Sequence, residues 1–170
     1  MISFVIPLHN KESVICTTLK SIKTNADFEF EVVVVDDCST DNSANVAREY
    51  LHNHIKLHQL IQLEKNYGRS NARNVGIANA KGDFIYLLDA DDTILPGISI
   101  IKECSRAEYV YTFNYLRKSN TQRILKDFYG NYDLLFMYSF GIYMPTSSSI
   151  MFSKVNKDLI RFSQELHEGE

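Results

Sequence analysis

Apolar residues in the first half of the chain fall into short continuous runs, separated by stretches in which they recur every three to four positions. Residues 2–7, ISFVIP, read as a buried strand that Pro7 closes. Over 11–22, Ile15, Leu19 and Ile22 stand at i, i+4 and i+7, the spacing of an amphipathic helix. Residues 30–37, FEVVVVDD, carry consecutive valines with no alternation, which predicts a strand buried on both faces, as in a parallel sheet. A second helix is expected over 39–51, where several capping residues precede Val46, Ala47, Tyr50 and Leu51. In 54–66, Ile55, Leu57, Ile61 and Leu63 share one parity while Leu60 breaks it, so a third strand with a bulge is predicted. The stretch 68–82 reads as a helix entered by Gly68 and ended by Gly82, and 83–92, DFIYLLDADD, as a fourth strand.

This β-α-β-α-β-α-β order predicts an open α/β sheet with helices on both faces. Ligands of such sheets sit beyond the carboxyl ends of the strands. The strand ends here are Pro7 to Asn10, Asp36-Asp37 and Asp89-Ala90-Asp91, so the short-range chemistry collects on one edge. The second half is less regular. A basic stretch, 102–126, precedes an aromatic-rich one, 127–144. Strands are expected within 108–116 and around 148–153, with helices near 132–139 and 156–160. There is no internal repeat, low-complexity segment or linker, so a single domain is expected.

Composition narrows the function classes. A net charge of −3 argues against a nucleic-acid binder driven by phosphate neutralisation. Cys16, Cys38 and Cys104 have no C-x-x-C spacing, which suggests free thiols in a reducing compartment and no zinc cluster. The N-terminus lacks a basic leader region, and no apolar run approaches the ~20 residues of a membrane span. A soluble cytoplasmic domain is the expectation. Peripheral contact of the basic stretch with the inner face of a membrane is the alternative to a simple solvated surface.

Three motifs carry candidate chemistry. Asp89, Asp91 and Asp92 crowd like charges together directly after an apolar run, which is unfavourable unless something positive sits among them. Asp89 and Asp91, flanking Ala90, can both turn toward a divalent cation, and hard oxygen ligands favour Mg²⁺ or Mn²⁺. The plain alternative is an acidic loop that caps the next element. Asp36 and Asp37 can bind a metal, accept hydrogen bonds from a base and a ribose, or cap the following helix with Ser39 and Asp41. Gly68 lets backbone approach a ligand, and Arg69 and Arg73 lie four apart on one helix face, able to hold a diphosphate or to form a surface ion pair with the acidic edge. His9 stands on the same edge and reads as a hydrogen-bonding wall. His52 and His54 read as solvent-facing positions at the start of the third strand. No P-loop, G-x-S-x-G or H-E-x-x-H occurs.

Taken together, VIPLHNKE, VVVVDDCSTDNS, NYGRSNARNVGIANAKGDFIYLLDADD and SSSIMFSK resemble the family 2 glycosyltransferases over nearly the whole chain. The resemblance implies the GT-A fold, a Rossmann-like open mixed sheet flanked by helices. It implies transfer, with inversion, of a sugar from a nucleotide diphosphate sugar, usually a UDP-sugar, to a glycan or lipid-linked acceptor, assisted by Mn²⁺ or Mg²⁺. Residues 1–93 would form the nucleotide-sugar-binding half and 94–170 part of the acceptor-side half. Position by position, Pro7, Asn10 and Glu12 fall in the nucleotide-binding first loop, and Asp37, with Asp36, takes the base contact. Arg73 lies near the nucleotide, Asp89 near ribose or metal, and Asp91 is the direct metal ligand. His9 stands where the family usually has Tyr. The family's base lies in a pattern like F-x-x-x-L-x-x-G-E-D, and this sequence ends RFSQELHEGE at Glu170. The resemblance therefore predicts a chain that stops short of its base, with Glu168 and Glu170 as weak substitutes, and a C-terminal part that is incomplete. Such a form would bind donor and metal yet transfer little.

Three rivals compete. DADDT matches the haloacid dehalogenase phosphatase motif, with Asp89 as nucleophile and Asp91 as general acid, but that motif normally opens its fold. A receiver domain built on VVVVDD needs a later strand-end Asp and Lys. A non-catalytic nucleotide-sugar-binding remnant differs from the enzyme only in the tail.

Overall fold

The structure, a computed structural model, describes residues 1–94, 110–112, 150–153 and 162. Its elements are β1 (Ile2–Leu8), α1 (Ile15–Asn25), β2 (Phe30–Asp36), α2 (Ser43–His54), β3 (His58–Gln62), α3 (Arg69–Asn79), β4 (Phe84–Leu87), β5 (Val110–Thr112) and β6 (Ile150–Ser153). They form a six-stranded sheet in the order β3-β2-β1-β4-β6-β5. The first four strands pair in parallel, and β6 runs antiparallel to both β4 and β5, so the sheet is mixed. The expected strands in 108–116 and 148–153 are present as β5 and β6. The expected helices near 132–139 and 156–160 lie outside the described residues.

Two apolar layers cover the sheet, one on each face. Ile15, Leu19 and Ile22 of α1 and Ala47 and Leu51 of α2 pack with Phe4, Ile6, Val32 and Val34 on one side. On the other, Ala72 and Ile77 of α3 pack with Val5, Val33, Val35, Ile85 and Leu87. Alternate residues of β1 and β2 thus belong to different layers, which is why the valine run shows no polar alternation. The α3 layer is thin because Gly76 lies against β1: a Cβ there would come within 2.3 Å of Val5 Cγ1.

Several local expectations are corrected. Pro7 does not close β1; the strand continues to Leu8, with Pro7 opposite Val35. The pairing of β1 with β4 ends at Val5 opposite Leu87, so the missing N–H of Pro7 interrupts no ladder. β3 has no bulge, because its register with β2 is continuous from Val32–His58 to Asp36–Gln62. Leu60 breaks parity because it packs in the α1/α2 layer while Ile61 and Leu63 pack in the α3 layer. His52 and His54 end α2 rather than opening a strand, and the His54 ring lies 4.5 Å from that of Tyr50, four residues earlier on the same helix. α3 stops at Asn79, before Gly82, and β4 stops at Leu87, leaving the acidic residues in a turn. α1 begins at Ile15 because residues 11–14 form a turn, closed by hydrogen bonds from the Val14 and Ile15 N–H groups to the Lys11 carbonyl.

Candidate functional site

The carboxyl ends of β1, β2 and β4 and the N-terminus of α3 enclose a cavity of about 410 Å³. Asp37, the residue after β2, is buried, and its two carboxylate oxygens each accept a backbone N–H 2.8 Å away, from Tyr67 and from Gly68. It therefore fixes the loop that leads into α3. Gly68 adopts φ +87°, a left-handed conformation that a side chain would strain. Asp36 is also buried; it accepts from the Ser39 N–H and the Gln62 side chain, shaping the turn after β2.

Two left-handed residues, Asn10 (φ 51°) and Cys38 (φ 58°), let the β1 and β2 loops meet. The Asn10 N–H donates to Ser39 Oγ at 3.0 Å, and Asn10 Oδ1 accepts the Thr40 N–H at 2.8 Å. The Glu12 N–H donates to Asp41, while Glu12 Oε2 accepts the Asn42 N–H at 3.1 Å. Just before α2, Asp41 accepts the N–H and the hydroxyl of Ser43, and the hydroxyl bond holds its carboxyl below the usual value.

His9 is locked in one tautomer. Its Nδ1–H donates to the Asp37 carbonyl at 2.9 Å, so Nε2 is the acceptor, and it receives the side-chain amides of Asn66 at 3.2 Å and Asn10 at 3.3 Å. Neither amide can flip without loss, because Asn10 Oδ1 holds Thr40 N–H and Asn66 Oδ1 holds Gly68 N–H. One ring thus ties together the loops that follow β1, β2 and β3.

The D-A-D turn is gripped from below by α1. Thr18 Oγ1 donates to the Ala90 carbonyl at 2.8 Å, the Ile94 N–H donates to Ser21 Oγ at 3.0 Å, and Asn25 Nδ2 donates to the Ile94 carbonyl at 3.0 Å. Ala90 and Ile94 are buried in the α1/α2 layer, so the turn cannot tilt freely. Each carboxylate then meets its own cation. Arg73 Nη2 lies 2.8 Å from Asp89 Oδ1, and Lys11 Nζ lies 2.7 Å from Asp91 Oδ2. These two pairs offset the crowding of like charge that the sequence presents. The Arg73 side chain is wholly buried, with its guanidinium 5.2 Å from the centre of the Phe162 ring, so the arginine pair is not the surface contact considered from sequence. Asn74, one residue on in α3, exchanges two hydrogen bonds with the backbone of Phe162 and docks that residue on the helix.

Of the residues singled out in the sequence, Pro7, His9, Asp37, Gly68, Arg69, Asp89, Ala90 and Asp91 line the cavity. Asn10, Glu12, Asp36 and Arg73 do not line it; their bonds hold the loops and the carboxylate around it. Glu168 and Glu170 lie outside the described residues. Lys11, Asn66, Tyr67 and Ser70 also line the cavity. Their only signal in the sequence is adjacency: Lys11 follows Asn10, and the other three flank Gly68-Arg69. Thr18, Ser21 and Asn25 carry a fainter one, a polar stripe at helical spacing.

The donor set fits a hard divalent cation. Asp89 and Asp91 offer only oxygens, and no cluster of three or more His, Cys, Asp or Glu side chains suited to a metal occurs among the described residues. Two carboxylates leave coordination positions for phosphate oxygens, the usual way such an ion is held with a nucleotide.

Residues 3–155 match the family model described as glycosyl transferase family 2. The chain belongs to this family. Among curated relatives, the poly(ribitol-phosphate) β-N-acetylglucosaminyltransferase TarS of Staphylococcus aureus is 42% identical over 96 residues, which cover 54% of this chain and 16% of TarS. A solved structure of S. aureus TarS 1-349 in complex with UDP superposes with a TM-score of 0.76 at 26% identity, covering 99% of this chain and 52% of that one. The mannosyltransferase PcManGT of Pyrobaculum calidifontis, solved with GDP-Man and Mn²⁺, shares the fold at a TM-score of 0.73 and 17% identity, covering 97% of this chain and 48% of that one. The chain thus spans about half the length of that solved TarS fragment. Family membership, with a D-A-D turn that follows β4 rather than opening the fold, replaces the phosphatase and receiver readings. Among the described residues no helix is long and apolar enough to cross a membrane.

Proposed function

We propose that this chain carries the donor site of an inverting glycosyltransferase that moves a sugar from a UDP-sugar to a hydroxyl of a glycan or lipid-linked acceptor. Residues 1–93 form the donor-binding half and 94–170 part of the acceptor-side half. The observation that carries the reading is the convergence of Asp89, Asp91, Lys11 and Arg69 on one cavity. Carboxylates and cations together suit a diphosphate taken with a divalent ion, and suit neither a lone anion nor a lone cation as well. The UDP held by TarS 1-349 supports uridine as the nucleoside.

Each residue then has a task. Asp89 and Asp91 would hold Mn²⁺ or Mg²⁺. That ion, when bound, supplies Lewis-acid stabilisation of the charge that grows on the leaving diphosphate. Arg69, the first residue of α3, adds positive charge where the helix N-terminus already favours phosphate. Asp37 holds the 66–68 loop at the nucleoside end of the cavity, and its remaining lone pairs accept from a base. The edge of His9 is occupied by its three hydrogen bonds, so the ring face is what it offers to a base, in place of the family's usual Tyr. Inversion also calls for a base on the far side of the sugar to take the acceptor proton. Its candidates here, Glu168 and Glu170, lie outside the described residues.

Calorimetric titration of UDP into the chain, with and without Mn²⁺ and on Asp91→Ala, tests the reading. Binding that needs Mn²⁺ and is lost in Asp91→Ala supports it. A folded chain that binds no UDP, or binds it equally well without Asp91, overturns it.

A further inference from the structure

Among the described residues, Lys11 is the one lysine that lines the cavity, and its ammonium lies 2.7 Å from an oxygen of Asp91, the carboxylate assigned to the divalent cation. Its backbone is fixed at both ends: the N–H donates to Ser43 Oγ at 2.7 Å, and the carbonyl accepts from Val14 at 3.1 Å and from Ile15 at 3.0 Å. Only the side chain can move. It is 40% exposed, and its partner Asp91 is 48% exposed, so the pair can open without leaving a buried charge behind. The other carboxylate of the turn behaves differently, since Asp89 is tied to an arginine that is wholly buried and cannot swing away.

We propose that Lys11 is a resident counter-ion that occupies Asp91 until a diphosphate arrives, and then transfers its ammonium to the phosphate oxygens, so that nucleotide and divalent cation load together. The inference rests on the reading of Asp91 as a metal ligand. Its physical basis is competition. An ammonium and a divalent ion want the same carboxylate oxygens, and two cations side by side repel at short range. In the absence of nucleotide, Lys11 therefore weakens the site for metal. A bound diphosphate gives the flexible lysine stem a second anionic partner within the same cavity. The carboxylate is then released, and Lys11 adds positive charge beside the leaving group. The coupling is reciprocal, so metal should raise nucleotide affinity by the factor by which nucleotide raises metal affinity.

The test is Mn²⁺ binding to the chain, read by electron paramagnetic resonance of the free ion and by calorimetry, with and without UDP, for wild type, Lys11→Met, Lys11→Arg and Asp91→Asn. Without UDP, Lys11→Met is expected to bind Mn²⁺ about fivefold more tightly, the factor that corresponds to the upper end for an exposed ion pair. UDP affinity in saturating Mn²⁺ should fall in Lys11→Met, and the Mn²⁺–UDP coupling should shrink. Lys11→Arg, which keeps the charge, should stay near wild type for Mn²⁺ alone. Removing a charge elsewhere on the surface, by Lys20→Met on α1, should leave Mn²⁺ affinity unchanged; a change equal to that of Lys11→Met would overturn the inference in favour of a general charge effect. If Asp91→Asn abolishes Mn²⁺ binding while Lys11→Met leaves both the affinity and the coupling at wild-type values, the role of Lys11 is refuted and the donor-site reading stands. If Asp91→Asn binds Mn²⁺ as wild type does, the metal assignment falls, and the role of Lys11 with it.

Discussion

Arg73 Nη2 and Asp89 Oδ1 lie 2.8 Å apart, and the arginine side chain that makes this contact is completely enclosed. The neighbouring pair, Lys11 with Asp91, is open to solvent on both sides. The two carboxylates of one D-A-D turn therefore sit on opposite sides of a divide: Asp89 is bound into the fold, and Asp91 is bound only to the surface.

That asymmetry should appear in stability. Removing one partner of a buried ion pair leaves a desolvated charge uncompensated. Asp89 is itself 31% exposed, so the cost belongs at the low end of the usual range. Asp89→Ala should destabilise the chain by about 3 kcal/mol, and Asp91→Ala by less than about 1 kcal/mol. Urea unfolding of both variants checks this, and equal losses would refute the division.

Asp37 should be irreplaceable by its amide. Both of its oxygens accept backbone N–H groups, from Tyr67 and Gly68, and an asparagine retains only one such acceptor. Asp37→Asn is expected to lose about 1–3 kcal/mol, the cost of an unsatisfied buried group. It should also speed hydrogen exchange at the Tyr67 and Gly68 amides while leaving those of β1 unchanged. Wild-type exchange at both amides would be the contrary result.

The approach of α3 to the sheet depends on the absence of one side chain. An added Cβ at Gly76 would meet Val5 Cγ1 at 2.3 Å, and Val5 is fully buried. Gly76→Ala should therefore destabilise by about 1–3 kcal/mol through overpacking, despite the better helix propensity of alanine. Because α3 carries Arg69 and Arg73, UDP affinity should fall in the same variant. Thermal unfolding and UDP titration would detect the two effects separately.

Asp41 gives a pH signature. Its carboxyl is held below the ordinary value chiefly by the Ser43 hydroxyl; burial, the next-largest effect, opposes it, and backbone N–H groups lower it further. A carboxyl with a lowered folded-state value binds fewer protons in the native than in the unfolded chain. Its stabilising contribution is present above the unfolded value of about 4, and it is lost as pH falls through the lower folded value. Urea unfolding between pH 2 and 6 should show a shallower acid-side decline for Asp41→Asn than for wild type. An identical slope would show that Asp41 carries none of it.

The periodicity of the sequence determined the four parallel strands, the three helices between them and the gathering of acidic residues on one edge. Each of those features reports burial within a single element, and local burial is what hydrophobic spacing records. The spacing also placed β5 and β6, although nothing local showed that β6 joins the sheet antiparallel. Where local pattern and tertiary setting diverged, the setting decided. Pro7 is tolerated within β1 because β4 has already ended beside it, and Leu60 needs no bulge because both faces of β3 are covered. The site shows the same limit. That Asp37 holds a loop 30 residues away, that Arg73 pairs with Asp89, and that Lys11 meets Asp91 across 80 residues are consequences of three strand ends being brought together. A spacing pattern says which side chains share a face. Only the packed sheet decides which charges become neighbours.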